Sequence, residues 1–223
     1  RDERRIADEA ITLAEVLRAA GWRTGGVASG PYLEAGFGFA QGFDTWDDWS
    51  ANRASERFSH RGSTSPDAIA AAERLLDDAA RRDPARPFFL FLHLWDVHYD
   101  YEPPPPWDTH FDPDYRGTIT GRDFEQGAAV QRDMDPRDLA HVIALYDGEI
   151  RHTDEALGRL IARLRERGML DHTLVAVVAD HGDEFFEHGD KGHRNNLYDT
   201  TILVPWVLRW PGHVPAGRVV PGQ

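Results

Sequence analysis

The stretch that most constrains this chain is Val175–Ala179, an apolar run rich in valine. It ends in Asp180-His181-Gly182-Asp183-Glu184, and His188, Lys191 and His193 follow within one turn-rich loop. A short apolar run bounded by polar and glycine residues reads as a buried strand. A buried strand that delivers a carboxylate and an imidazole at its carboxyl end fits an open α/β sheet, where ligands gather at those ends. Lys191 is the single lysine among 25 basic residues, and it falls inside this loop.

The rest of the pattern agrees with an α/β chain. Residues 6–20 carry apolar positions at helical spacing, and Thr12 with Glu15 forms a capping-box pair that could start the helix there. Thr24–Ser29 reads as a short buried strand, and Gly30–Asp48 as a loop rich in glycine and aromatics. A second helix is expected over 66–82, with Ser65 at the cap and Pro66 in the first helical position. Phe88–Leu94 is apolar throughout, which suits a strand covered on both faces, with His93 as a hydrogen-bonded core histidine. Residues 102–136 are irregular, opening on the extended Pro103–Pro106, and read as a surface excursion or lid. The longest helix is expected from Pro136-Arg137-Asp138 to about Arg167, with Gly168 at its C-cap. Thr173–Ala179 and Val204–Leu208 complete the strands. Strands alternating with helices predict a mostly parallel sheet flanked by helices, in a single domain over 1–223.

Composition sets outer limits. The formal net charge of −13 argues against nucleic acid as the main partner, since phosphate backbones require a basic face. A small anionic substrate stays compatible, because one metal ion and a few cations reverse the field inside a pocket. With no Cys, this segment has no disulfide, thiolate metal site or thiol nucleophile. No apolar run reaches the ~18 residues of a membrane span. The compartment is not legible in these residues.

The candidate chemistry lies at the strand ends. Asp180 and His181 suit Zn²⁺, Mn²⁺ or Fe²⁺, whereas Ca²⁺ and Mg²⁺ prefer oxygen alone. The alternative is that Asp180 caps a helix while His181 packs against it. His193 follows twelve residues after His181, close enough for a loop to return it to the same pocket. Lys191 is either an anion contact or a surface lysine. His98, just past Phe88–Leu94, could reach the rim near Asp180 and donate to an anionic oxygen or protonate a leaving group. Asp96 could orient His98 or cap a turn, and His188 reads as a solvated loop residue.

Several of these residues fall into a longer pattern. Leu145-Tyr146, Glu149-Ile150, Asp154, Leu157-Gly158, Leu160, Leu164, Gly168-Met169-Leu170, Thr173 and Asp180-His181-Gly182-Asp183-Glu184 closely resemble, in order and spacing, the sulfatase family of the alkaline phosphatase superfamily. So do Leu197-Tyr198-Asp199, Val204-Pro205 and Arg209 to Gly212, and upstream Thr12–Thr24, Gly42-Phe43-Asp44 and Phe88 to Pro104. The resemblance implies an alkaline-phosphatase-like fold and a metal-dependent hydrolase of sulfate esters. Asp180 and His181 would be metal ligands, His98 would contact the sulfate or phosphate group, and Lys191 or His193 would hold that anion or the leaving oxygen. The implied cofactor is one divalent metal, Ca²⁺ first, with Mn²⁺ or Zn²⁺ as alternatives. The partner would be a small anionic ester.

Two departures accompany the resemblance. The family's nucleophile, often a formylglycine, and its first metal carboxylates precede the region matching Thr12–Ala20, so this chain is expected to be an internal, partial domain. Many sulfatases also carry a Gly-Lys-Trp-His run where this chain has Ala28-Ser29-Gly30-Pro31-Tyr32. That replacement removes two cationic substrate contacts. Phosphodiesterase, phosphonate monoester hydrolase and phosphoryl-transfer activities are therefore the alternatives within the superfamily. A non-catalytic metal- or anion-binding fragment is the alternative outside it.

Overall fold

A computed structural model describes residues 5–49, 64–122, 124–125 and 127–220. Its main sheet is parallel, in the order β2-β1-β3, built from β1 (Arg23–Ala28), β2 (Thr45–Asp47) and β3 (Phe88–His93). β1 and β3 run in register from Arg23 opposite Phe88 to Ala28 opposite His93, so both strands end at the same rim. β2 falls inside the segment read from sequence as a loop. It sits beside glycine: a Cβ on Gly26 would stand 2.3 Å from the Trp46 ring, so the strand's lack of side chain there makes room for the indole.

Helix α1 (Leu13–Ala19) begins at the capping box, with Thr12 Oγ1 accepting from Glu15 N–H and the Glu15 carboxylate accepting from Thr12 N–H. Residues 5–11, just before it, are not helical. Helix α2 (Ser65–Arg82) starts one residue earlier than expected. Its N-cap is Thr64, whose own side chain makes no capping bond; the Asp96 carboxylate caps the helix instead. Asp96 accepts from Thr64 N–H (2.6 Å), Thr64 Oγ1 (2.5 Å) and Ser65 N–H (2.7 Å). A carboxylate at that end also meets the positive pole of the helix.

The irregular stretch contains a four-residue helix α3 (Trp107–His110), and Tyr101 bridges to Gly121. Helix α4 (Pro136–Glu166) then runs for 31 residues, with Asp135 at its N-cap and Gly168, at φ 67°, just beyond its end. The apolar face of α4 and the small-residue face of α2 cover the sheet: Ala68, Ile69, Ala72 and Leu76 pack with Val27, Ala156, Leu160 and Leu164. A second cluster, Tyr99, Tyr101, Phe124, Val130, Val142, Leu145 and Phe185, joins the excursion to α4 and to the segment over 180–193.

The C-terminal strands depart from expectation. β4 (Val175–Val178) pairs antiparallel with β7 (Trp206–Arg209), in a sheet separate from the first among the described residues. Neither is buried: Val178 is 63% and Trp206 73% exposed. The apolar run did encode a strand, but only Val175 packs against the main core while Ala176, Val177 and Val178 are exposed, so the burial read from its composition does not follow. Between them lie the short hairpin β5 (Glu184–Phe185) and β6 (Lys191–Gly192) and a one-turn helix α5 (Asp199–Ile202). No helix among the described residues is long and apolar enough to cross a membrane.

Candidate active site

The ends of β1 and β3 are tied together through Ser29. Its hydroxyl donates to the His93 carbonyl (2.9 Å) and accepts from Trp95 N–H (3.0 Å). The His93 ring answers from the other side, with Nδ1 2.5 Å from the Ser29 carbonyl. Burial pushes His93 below its usual pKa, keeping it a neutral structural histidine. Trp95 lies against Gly30, where a Cβ would be 2.3 Å from the indole, and its face stacks on His98 at 4.1 Å. The unusual Ala28–Tyr32 segment thus seats Trp95, and Trp95 seats His98.

His98, His181 and His193 come together. The His181 and His193 rings are 3.9 Å apart, and His98 meets His193 edge-on at 5.3 Å. Each ring uses Nδ1 for an internal bond. His98 Nδ1 is 2.6 Å from the Tyr99 carbonyl, His181 Nδ1 is 3.0 Å from the Gly182 carbonyl, and His193 Nδ1 is 2.7 Å from Asp183 Oδ1. A carbonyl only accepts, so His98 and His181 must carry the Nδ1 proton in these bonds.

Gly182 pins the loop that carries these groups. Its N–H donates to the Thr201 carbonyl (2.8 Å), and a Cβ there would sit 2.2 Å from the Thr200 carbonyl oxygen. Asp180 is 81% exposed on its side chain, with Oδ2 3.8 Å from His181 Nε2. A histidine that donates Nδ1–H to a carbonyl and presents Nε2 has the form of a metal-binding imidazole. With Asp180 beside it, the pair fits a divalent cation as an open half-site. Four-coordinate sites need further donors. Asp183 supplies another carboxylate: its oxygen and the ring nitrogens of His181 and His193 all lie within 4.8 Å of one another.

Lys191 is placed differently from its expected role at the anion. Its Nζ donates to the carbonyls of Val130 (2.5 Å) and Gly127 (3.4 Å) and lies 5.6 Å from the Phe124 ring centre. The antiparallel pairing of β5 with β6 puts Lys191 opposite Phe185, facing the excursion, and burial there lowers its pKa. His188 stacks on Tyr198 at 3.7 Å and takes no part in the histidine group.

The sequence reading missed Asp183 and Tyr101 as site residues. Tyr101, fully buried, donates to Asp183 Oδ2 at 2.5 Å. The available signal was the second acid three residues after Asp180.

Comparison with known proteins now separates fold from family. The family model described as Sulfatase matches residues 4–222. The chain belongs to the sulfatase family. An arylsulfatase of Clostridium perfringens is 29% identical over 154 residues, 64% of this sulfatase-family chain and 32% of that protein. The steryl-sulfatase of Mus musculus is 31% identical over 163 residues, 66% of this chain and 21% of that one. The chain thus spans a third or less of these relatives. Among solved structures, one in complex with its substrate D-glucosamine-2-N,6-O-disulfate superposes with a TM-score of 0.71 at 16% identity, covering 97% of this chain and 58% of that one. The phosphonate monoester hydrolase of Agrobacterium radiobacter superposes at 0.68 with 20% identity, covering 96% and 55%. At these identities the superpositions establish the alkaline-phosphatase-like fold, and the family rests on the sequence match.

Proposed function

We infer that the protein to which this sulfatase-family chain contributes is a metal-dependent hydrolase of small anionic sulfate esters. The observation that carries the reading is the convergence of His98, His181 and His193, each held through Nδ1, beside the exposed Asp180 carboxylate. Asp180 and His181 would hold the divalent metal. Once bound, that cation supplies Lewis-acid stabilisation of the charge developing on the ester oxygens. Nitrogen beside oxygen in the pair favours Mn²⁺ or Zn²⁺, and Ca²⁺ becomes competitive if further carboxylates join.

His98 and His193 act on the ester itself. With Nδ1 already carrying a proton, each ring donates from Nε2 only as the imidazolium: in that form His98 holds a sulfate oxygen, and His193 delivers its Nε2 proton to the leaving alkoxide or phenoxide as the S–O bond breaks. Trp95 keeps the His98 ring from rotating away. In this reading the nucleophile is a formylglycine, matured from a Cys or Ser that precedes the region matching Thr12–Ala20 in the family.

Hydrolysis of phosphonate or phosphate esters is the second reading. It is supported by the Ala28–Tyr32 segment, which lacks the cationic run of many sulfatases, and by the fold shared with the phosphonate monoester hydrolase. The two are tested by kcat/KM of the metal-loaded, full-length protein on matched sulfate, phosphodiester and phosphonate esters of one phenol. A preference for sulfate supports the first reading, a preference for phosphorus the second. Inertness toward all three returns the protein to a binding role.

A further inference from the structure

We propose that Asp183 is a positioning residue for His193, itself anchored by Tyr101, so that Tyr101, Asp183 and His193 form a relay that aims His193 Nε2 at the ester. The inference rests on the reading of this site as an ester hydrolase and adds what fixes its acid. Both oxygens of Asp183 are engaged in the relay. Oδ2 accepts from the Tyr101 hydroxyl at 2.5 Å and Oδ1 faces His193 Nδ1 at 2.7 Å. The Asp183 side chain is 4% exposed, and the ring of His193 is flanked by Tyr99 at 5.1 Å and His181 at 3.9 Å.

A carboxylate held on Nδ1 selects one tautomer and one ring orientation. Tyr101 gives the carboxylate a second fixed donor. It is fully buried among Phe124, Tyr146 and Phe185, so its hydroxyl has little freedom. Asp183 also lies in the group whose donor atoms fall within 4.8 Å, so a direct bond to the metal is the competing role. The two differ in what removing the charge does.

The experiment compares Asp183→Asn and Tyr101→Phe with the wild type in the full-length protein, reading three quantities. Metal content after dialysis should match the wild type. A long-range proton–nitrogen correlation spectrum should show His193 in the Nδ1–H form in the wild type and a mixture of tautomers in Asp183→Asn. The kcat of Asp183→Asn should fall about 10–100-fold with little change in KM, more for alkyl than for nitrophenyl esters. Tyr101→Phe should move the same way by less. Loss of metal with an unchanged His193 spectrum would make Asp183 a ligand and overturn the relay. An unchanged kcat in both variants would overturn it too. A wild type without turnover on any ester refutes the hydrolase reading alone, and the His193 spectrum still decides the relay.

Discussion

Glu149, in the middle of α4, accepts the backbone N–H of Glu102 at 3.0 Å and so fastens the segment that follows His98 to the long helix. Its carboxyl is buried, and burial together with the negative charge of Asp96 pushes its pKa up to about 9. The group is a neutral acid near pH 7.

A raised folded-state pKa sets the sign of the pH dependence. The contribution is fully present below the unfolded value of 4.5 and is lost as pH rises through about 9. Glu149→Gln keeps an acceptor for Glu102 N–H and removes the titration. It should flatten the loss of stability between about pH 5 and about pH 9 and stabilise the protein at the alkaline end. Urea unfolding at both ends of that range checks it. Equal slopes for variant and wild type would show that Glu149 is ionised in the native state.

Lys191 is assigned to the fold. Lys191→Met removes two hydrogen bonds from an ammonium to backbone carbonyls and should cost about 1–3 kcal/mol. The KM for an anionic ester should stay near the wild-type value. Denaturation and steady-state kinetics on the same preparation separate the two effects, and a large rise in KM would restore Lys191 to the anion.

Gly182 has no room for a side chain. Gly182→Ala would drive a Cβ into the Thr200 carbonyl, so the loop must shift at a cost of about 1–3 kcal/mol. Because Asp180, His181 and Asp183 flank it, metal affinity should fall together with melting temperature. A variant with wild-type metal affinity would mean that the loop adjusts without moving its ligands.

Much of this arrangement was legible beforehand, for physical reasons that differ by element. α4 declared itself because nine turns of one apolar face leave no competing period. The capping box at Thr12 located α1 better than the apolar positions before it, since reciprocal hydrogen bonds fix a boundary that periodicity blurs. β2 was invisible because three residues in an aromatic loop carry no alternation to read. The exposure of β4 was equally hidden: composition reports that a strand wants cover, and the covering layer is a property of other residues. At the site, His98 and His181 were readable as histidines at strand ends, and His193 as one that a returning loop could bring to them. Asp183 was not, because its role depends on the Tyr101 hydroxyl, 82 residues away in sequence. Lys191 stood out by its rarity, which carries no direction, whereas the β5–β6 pairing turns it toward the carbonyls of Gly127 and Val130.

Asp180 and His181 should act as one unit toward the metal. Asp180→Ala should lose metal and activity together, because among the described residues its exposed carboxylate supports no hydrogen bond beyond the N–H of His181. Calorimetric titration with Mn²⁺, Zn²⁺ and Ca²⁺ on wild type and variant gives both affinity and preference. Retained affinity in Asp180→Ala would transfer the ligand role to the group formed by His181, Asp183 and His193.

His98 and His193 should fail differently from the metal ligands. Both rings are held through Nδ1, and neither belongs to the Asp180–His181 pair. Replacing either ring by alanine should therefore leave metal content intact and slow turnover by about 10²–10⁴-fold, the range for a lost general acid or charge-stabilising donor. The two are then separated by the leaving group. If His193 protonates it, His193→Ala loses most on alkyl esters and least on esters of acidic phenols. His98, which stacks on Trp95 and faces the anion in the proposed reading, should lose the same factor on both. Rates for a series of phenyl and alkyl esters on the two variants measure this directly. A wild-type rate for His98→Ala would remove it from the site, and identical leaving-group slopes would remove the division of labour.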